Sequence, residues 1–165
     1  MTRAKDEKIA EQIREFGCSL RRARQNAGLT QAELSSAALL DRAALSRLEC
    51  GQRAPDLSTL LRACAALDAK PDALLKGIGT GASVSGGRLR KRRGTYDPAT
   101  AFGANLRQAR SRAGLSQEQL ALDAKVDRAA ISVYENGGRQ PNLRTVLKLA
   151  SRLEVQPALL LQHIV

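Results

Sequence analysis

The sequence predicts an all-α protein of two tandem five-helix domains joined by a basic, flexible linker, and three observations carry that reading. The first is composition. Aromatic residues make up 2% of the 165, Trp is absent, and Ala, Leu and Arg dominate over β-branched residues, which suits short packed helices rather than strands. The second is an internal repeat: residues 16–75 align without gaps on residues 102–161 at an offset of 86, with 28 of 60 positions identical at spaced apolar, Gly, Pro and charged sites. Two copies are fewer than a stacked solenoid needs, so each must bury its own core. The third is punctuation, which divides each copy into five short helices.

In the first copy Ile9, Ile13, Phe16 and Leu20 recur at three and four, continuing to Ala23 and Ala27, and Gly28 supplies a stop. Thr30 opens the second helix as N-cap. Glu33, three residues on, completes a capping-box pattern, with Leu34 and Ala38 facing inward. Asp41 caps a third helix over residues 42–50, with Leu45 and Leu48 inward and Gly51 at its end. Pro55 and Asp56 start a fourth helix carrying Leu57, Leu60, Leu61, Cys64 and Leu67, and Pro71 starts a short fifth that ends at Leu75. The second copy repeats the plan, with Asp97 and Pro98 opening its first helix and Ser116 and Asp127 capping the next two. The domain boundaries expected are 1–78 and 97–165.

Residues 79–96 read as the linker, Gly/Ser-rich at first and then a run of like charge, neither of which can bury enough to order itself. The chain has 27 basic and 16 acidic side chains and a formal charge of +11. Residues 1–86 hold a net +3 and residues 87–165 a net +8, of which Arg88, Arg90, Lys91, Arg92 and Arg93 supply five. Such a balance points to a polyanionic partner, most often nucleic acid. The opening MTRAKDEKIAEQ is charged where a signal peptide would be apolar, and no stretch reaches the roughly 18 apolar residues of a membrane span, so the expectation is a cytoplasmic, nucleoid-associated protein without membrane contact.

An enzyme is not expected. The single His163 is too little for a zinc site, Cys18, Cys50 and Cys64 lack a C-x-x-C spacing and read as free thiols, and GTGASVSGG lacks the Lys-Ser/Thr of a phosphate-binding loop. No metal, cofactor or small-molecule ligand is implied.

GLTQAELSSAALLDRAALSRLECGQRAPD and GLSQEQLALDAKVDRAAISVYENGGRQPN, residues 28–56 and 114–142, resemble the helix-turn-helix of phage Cro and CI type repressors, the XRE-like family of bacterial transcription regulators. The likeness rests on the GL[TS]Q start, the inward Leu, the E-x-G close and the trailing Pro, each present twice, and extends over about three quarters of the chain. It implies two lambda-repressor-like domains whose third helices enter the DNA major groove. One departure concerns the turn. The family usually places Gly between helices two and three, whereas Leu39 and Lys125 stand here and take a left-handed conformation only at a cost.

The resemblance assigns base contacts to Arg42, Ala43, Ser46 and Arg47 in the first copy and to Arg128, Ala129, Ser132 and Val133 in the second, where Arg can pair with guanine and Ala can meet a thymine methyl. An Arg beside a capping Asp can equally do no more than solvate a helix end. Phosphate contacts fall to Gln31, Gln117, Arg53 and Arg139, and to Arg88, Arg90, Lys91, Arg92 and Arg93 in the linker. Arg24 with Glu49, and Arg110 with Glu135, are implied as structural ion pairs between helices one and three. Val133 offers only apolar contact where Arg47 donates, so unequal half-sites are expected.

The function expected is a double-stranded-DNA-binding regulator, a repressor that uses two linked modules on paired half-sites. The alternatives are a protein-interaction module that keeps the fold, such as an antitoxin or antiactivator, or an activator whose acidic patch near helix two, with Glu33 and Asp123, touches polymerase. A homodimer or a regulatory protein partner stays open, with Leu159, Leu160, Leu161, Ile164 and Val165 as either a dimer surface or core.

Overall fold

The computed structural model of the protein describes residues 2–76, 78, 97–162 and 164. Among them every regular element is a helix. The first compact unit contains α1 (Thr2–Asn26), α2 (Gln31–Ala37), α3 (Arg42–Glu49), α4 (Leu57–Ala66) and α5 (Pro71–Leu74). The second contains α6 (Pro98–Arg112), α7 (Gln117–Ala124), α8 (Arg128–Glu135), α9 (Leu143–Arg152) from Thr145 on, and α10 (Pro157–Leu160). Five helices per unit agree with the sequence reading, but the first is not short. Its residues 2–8 lack the apolar spacing that marks a helix, yet α1 begins at Thr2, through a stretch that contains strong helix formers.

In the first unit Ile9, Ile13, Phe16 and Leu20 of α1 are buried with Leu34, Leu45, Leu48, Leu57 and Leu60. Ala27, expected inward, is exposed because α1 has already ended at Asn26. The second unit buries Phe102, Leu106, Leu120, Ile131, Leu147 and Leu160, and the Phe102 and Tyr134 rings meet edge to face at 6.2 Å. Leu159, Leu160, Leu161 and Ile164 lie in this core, which leaves them no surface for a dimer contact; Val165 is outside the described residues.

Side chains fix the helix starts that position the outer face. Thr30 Oγ1 accepts from Glu33 N at 3.2 Å while Glu33 Oε2 accepts from Thr30 N at 2.7 Å, and Ser116 and Gln119 form the same reciprocal box. Asp41 Oδ2 accepts from Ala44 N, and Asp127 Oδ1 from Ala129 N. Between helices two and three of each unit the chain turns through Leu39 (φ 53°) and Lys125 (φ 51°), so the left-handed turn forms without its usual Gly. Arg62 Nη1, reaching from α4, donates to Leu39 O at 2.9 Å and holds the first turn from outside. A second pair of strained residues, Asp68 (φ 48°) and Glu154 (φ 55°), also lies 86 apart.

Candidate nucleic-acid interface

Each unit ties helix three to helix one through a buried carboxylate. The Glu49 side chain has no exposed surface, and it receives Arg24 Nε at 2.6 Å and Arg24 Nη2 at 3.1 Å, a bidentate fork that matches guanidinium to carboxylate. Gln31 Nε2 adds a donor at 2.9 Å, Arg21 Nε stands 3.5 Å away, and Arg24 Nη1 donates onward to Leu29 O at 2.7 Å. The second unit repeats this set. Arg110 Nε and Nη2 reach Glu135 at 2.6 and 3.0 Å, Gln117 Nε2 at 2.8 Å and Arg107 Nε at 3.5 Å, with Arg110 Nη1 on Leu115 O.

Burial pushes both carboxyls up. Hydrogen bonds from Arg24 and Gln31, or from Arg110 and Gln117, together with the neighbouring guanidinium charges, outweigh that and hold Glu49 and Glu135 below the usual carboxylate range. Arg24 and Arg110 are correspondingly pushed up, chiefly by their hydrogen bonds to these carboxylates. The clamp also needs backbone proximity. A Cβ on Gly17 would stand 2.6 Å from Leu48 O and 2.8 Å from Glu49 O, and one on Gly103 would collide with Tyr134 O and Glu135 O, so only Gly lets helix one lie this close to the end of helix three.

With one face of helix three held inward, the opposite face is presented to solvent. Arg42, Ala43 and Arg47 of α3 are exposed and Ser46 is half-buried; Arg128, Ala129 and Val133 of α8 are exposed and Ser132 is half-buried. The sequence-predicted base readers therefore share one outward face in each unit. The caps bear on their reading: Asp41 and Asp127 spend a carboxylate oxygen on a backbone N–H and form no ion pair with Arg42 or Arg128 among the described residues. Arg53 and Arg139, in the loop after helix three, are exposed too. Gln31 and Gln117 are half-buried at the first position of helix two, with their amide N–H groups directed to Glu49 and Glu135. Arg88, Arg90, Lys91, Arg92 and Arg93 lie outside the described residues.

Arg21, Arg107, Gly17 and Gly103 went unnoticed in the sequence, although each pair is identical between the copies at the repeat offset. The acids proposed for an activating patch are both committed, Glu33 to its capping box and Asp123 to Arg152 Nε at 2.6 Å. All three thiols are free: Cys18 and Cys50 are exposed, and burial, aided by the charge of Asp72, pushes Cys64 up to about 12. Among the described residues no His, Cys, Asp and Glu group is arranged to hold a metal ion, and no helix is long and apolar enough to cross a membrane.

Residues 15–76 match the model of a family described as helix-turn-helix domain, and residues 106–160 match a second family described as helix-turn-helix. A solved structure, the restriction-modification controller protein C.AhdI from Aeromonas hydrophila, is 37% identical over 38% of this chain and 94% of its own, with a TM-score of 0.37. No curated protein matches the chain. Two matched domains, each with a capped helix-turn-helix clamped by Arg and Glu and an outward third helix, make the chain a tandem XRE-type helix-turn-helix protein, a DNA-binding transcription regulator.

Proposed function

We propose that the protein is a repressor in which one chain supplies both halves of a paired operator contact, residues 1–78 and 97–165 acting as modules and residues 79–96 as the tether. The observation that carries the reading is how the arginines are used. Arg24 is buried and Arg110 half-buried, each against a buried carboxylate, whereas Arg42, Arg53, Arg128 and Arg139 stand exposed on and beside the helix-three faces with no ion pair among the described residues. A carboxylate partner would have neutralised them. Their uncommitted forks suit guanine edges and phosphate oxygens.

In this reading Arg42, Ala43, Ser46, Arg47, Arg128, Ala129, Ser132 and Val133 face bases, and Arg53 and Arg139 face phosphate. Gln31 and Gln117 contribute their remaining amide N–H beside the positive end of helix two. A segment as long as the tether spans about 25 Å on average and about 65 Å at full extension, enough for half-sites roughly 34 Å apart. The protein works by occupancy of promoter DNA in the nucleoid, not by catalysis.

The test is salt-dependent retention on duplex DNA. If the five tether cations contact phosphate, replacing Arg88, Arg90, Lys91, Arg92 and Arg93 by Gln lowers the magnitude of the log affinity against log salt slope by up to about 4.5, at roughly 0.9 per contact. An unchanged slope removes the tether from the interface. No retention at low salt removes DNA as the partner and favours capture of a protein.

A further inference from the structure

We propose that the second module reads a thymine methyl through Val133 at the half-site position where the first module reads guanine through Arg47. This rests on the paired-operator reading above and adds the base identity that separates the two half-sites. Along helix three the outward residues are otherwise the same: Arg42 and Arg128, Ala43 and Ala129, Ser46 and Ser132 correspond, and only Arg47 and Val133 differ.

Val133 is 41% exposed, and among the described residues it is the one large apolar side chain left exposed on either third helix. Ala129 lies one turn before it on the same face, so the two present a strip of methyl groups with no donor. The neighbouring loop differs in the same sense. Gly138 stands where the first unit has Gln52, and Val133 Cγ1 lies 3.2 Å from where a Cβ on Gly138 would be. Valine and glycine thus replace an arginine and a glutamine at two neighbouring positions, which removes two donor side chains that the first unit has. The thymine C5-methyl is the apolar group on the major-groove edge of DNA, and neither Val133 nor Gly138 has a side-chain donor to offer guanine N7 and O6.

The first unit has the opposite chemistry. Arg47 Nε donates back to Ala43 O at 3.2 Å, which lays the side chain along the helix and leaves its two terminal nitrogens without a partner among the described residues. A paired donor fork matches the two acceptors of guanine.

The experiment uses the full chain on a footprinted operator, in which the second module's half-site is the one where Arg128→Ala relaxes base preference. Replacing thymine by deoxyuridine deletes the methyl and nothing else. One thymine in the second half-site should lose about fourfold in affinity on that change, the worth of one buried methyl, with no counterpart in the first half-site, whereas any thymine met by Ala43 or Ala129 should respond alike in both. Val133→Ala should abolish the sensitivity, and Val133→Arg should move the preference at that base pair to guanine. If deoxyuridine is neutral throughout the second half-site while both half-sites stay protected, the thymine assignment is overturned and the paired-operator reading stands. If only one half-site is ever protected, both fall.

Discussion

The two units share 28 of 60 aligned residues, and they differ least where they are most buried. Arg24 to Glu49 and Arg110 to Glu135 are both 2.6 Å through Nε, and Gln31 and Gln117 close the same carboxylates at 2.9 and 2.8 Å. Outside the clamp the copies diverge. At the end of helix three Arg107 Nη2 donates to Asn136 Oδ1 at 2.9 Å, whereas Arg21 Nη2 meets only Cys50 Sγ at 3.5 Å. Arg47 corresponds to Val133 in the repeat, and Gln52 to Gly138. A buried charge that loses its partner is far costlier than an exposed one that changes, so the interior is held while the outer face varies. What separates the units is therefore the chemistry of the outer face, not the clamp beneath it.

The largest expected effect breaks the shared interior. Glu49→Ala should destabilise the first unit by about 3–5 kcal/mol because it strands a buried guanidinium, and Glu135→Ala the second by somewhat less, since Arg110 is only half-buried. Chemical unfolding followed separately for each unit checks this, and a loss under about 1 kcal/mol would mean the pair is replaceable. The clamp also sets a pH dependence. Both carboxyls titrate lower in the folded than in the unfolded state, so their contribution is complete above the ordinary carboxylate pKa of about 4.3 and is lost as pH falls through the lowered folded value. In the Glu49→Gln, Glu135→Gln double variant the unfolding midpoint should vary less with pH on the acid side.

The next effect sharpens the outer contrast. Arg42→Ala and Arg128→Ala should each cost about 1–3 kcal/mol on the cognate operator and relax preference at one base pair, while Gln31→Ala weakens all sequences alike. Competition against random duplex measures it. Equal losses on both would reduce Arg42 and Arg128 to phosphate contacts.

The smallest effect probes the turns. A left-handed residue with a β-carbon costs about 1–2 kcal/mol, so Leu39→Gly and Lys125→Gly should each raise stability by up to about 1 kcal/mol after the added freedom of the unfolded chain is subtracted. Leu39 is 78% exposed, so its side chain contributes little packing to offset the gain. A lower midpoint for Leu39→Gly would show that the turn needs more than backbone relief.

These turns also show how far local signals reach. Thr30 with Glu33, Asp41, Ser116 and Asp127 were legible because a cap is read within four residues, and the strain at Leu39 and Lys125 was legible from a missing Gly. Gly17 and Gly103 were not, since their requirement comes from the carbonyls of a helix about 30 residues away along the chain. Asp68 and Glu154 adopt left-handed geometry with no Gly in either copy to signal it. The start of α1 was missed because residues 2–8 are helical without apolar residues at helical spacing. For the outer face, sequence named the residues and structure added their exposure, while the direction of the Gln31 and Gln117 amides needed the fold.

The central claim is that two tethered modules act as one reader of unequal half-sites. Its most direct test compares the intact chain with residues 1–80 and residues 88–165 on one operator at fixed salt, by affinity and by footprint. Each half has its own capped helices and its own buried core, so each should fold. The intact chain should exceed either half by roughly 10² to 10⁴ in affinity, from the local concentration that the tether provides, and should protect two dissimilar half-sites where each half protects one. A half that binds as tightly as the intact chain and leaves the full footprint would contradict the account.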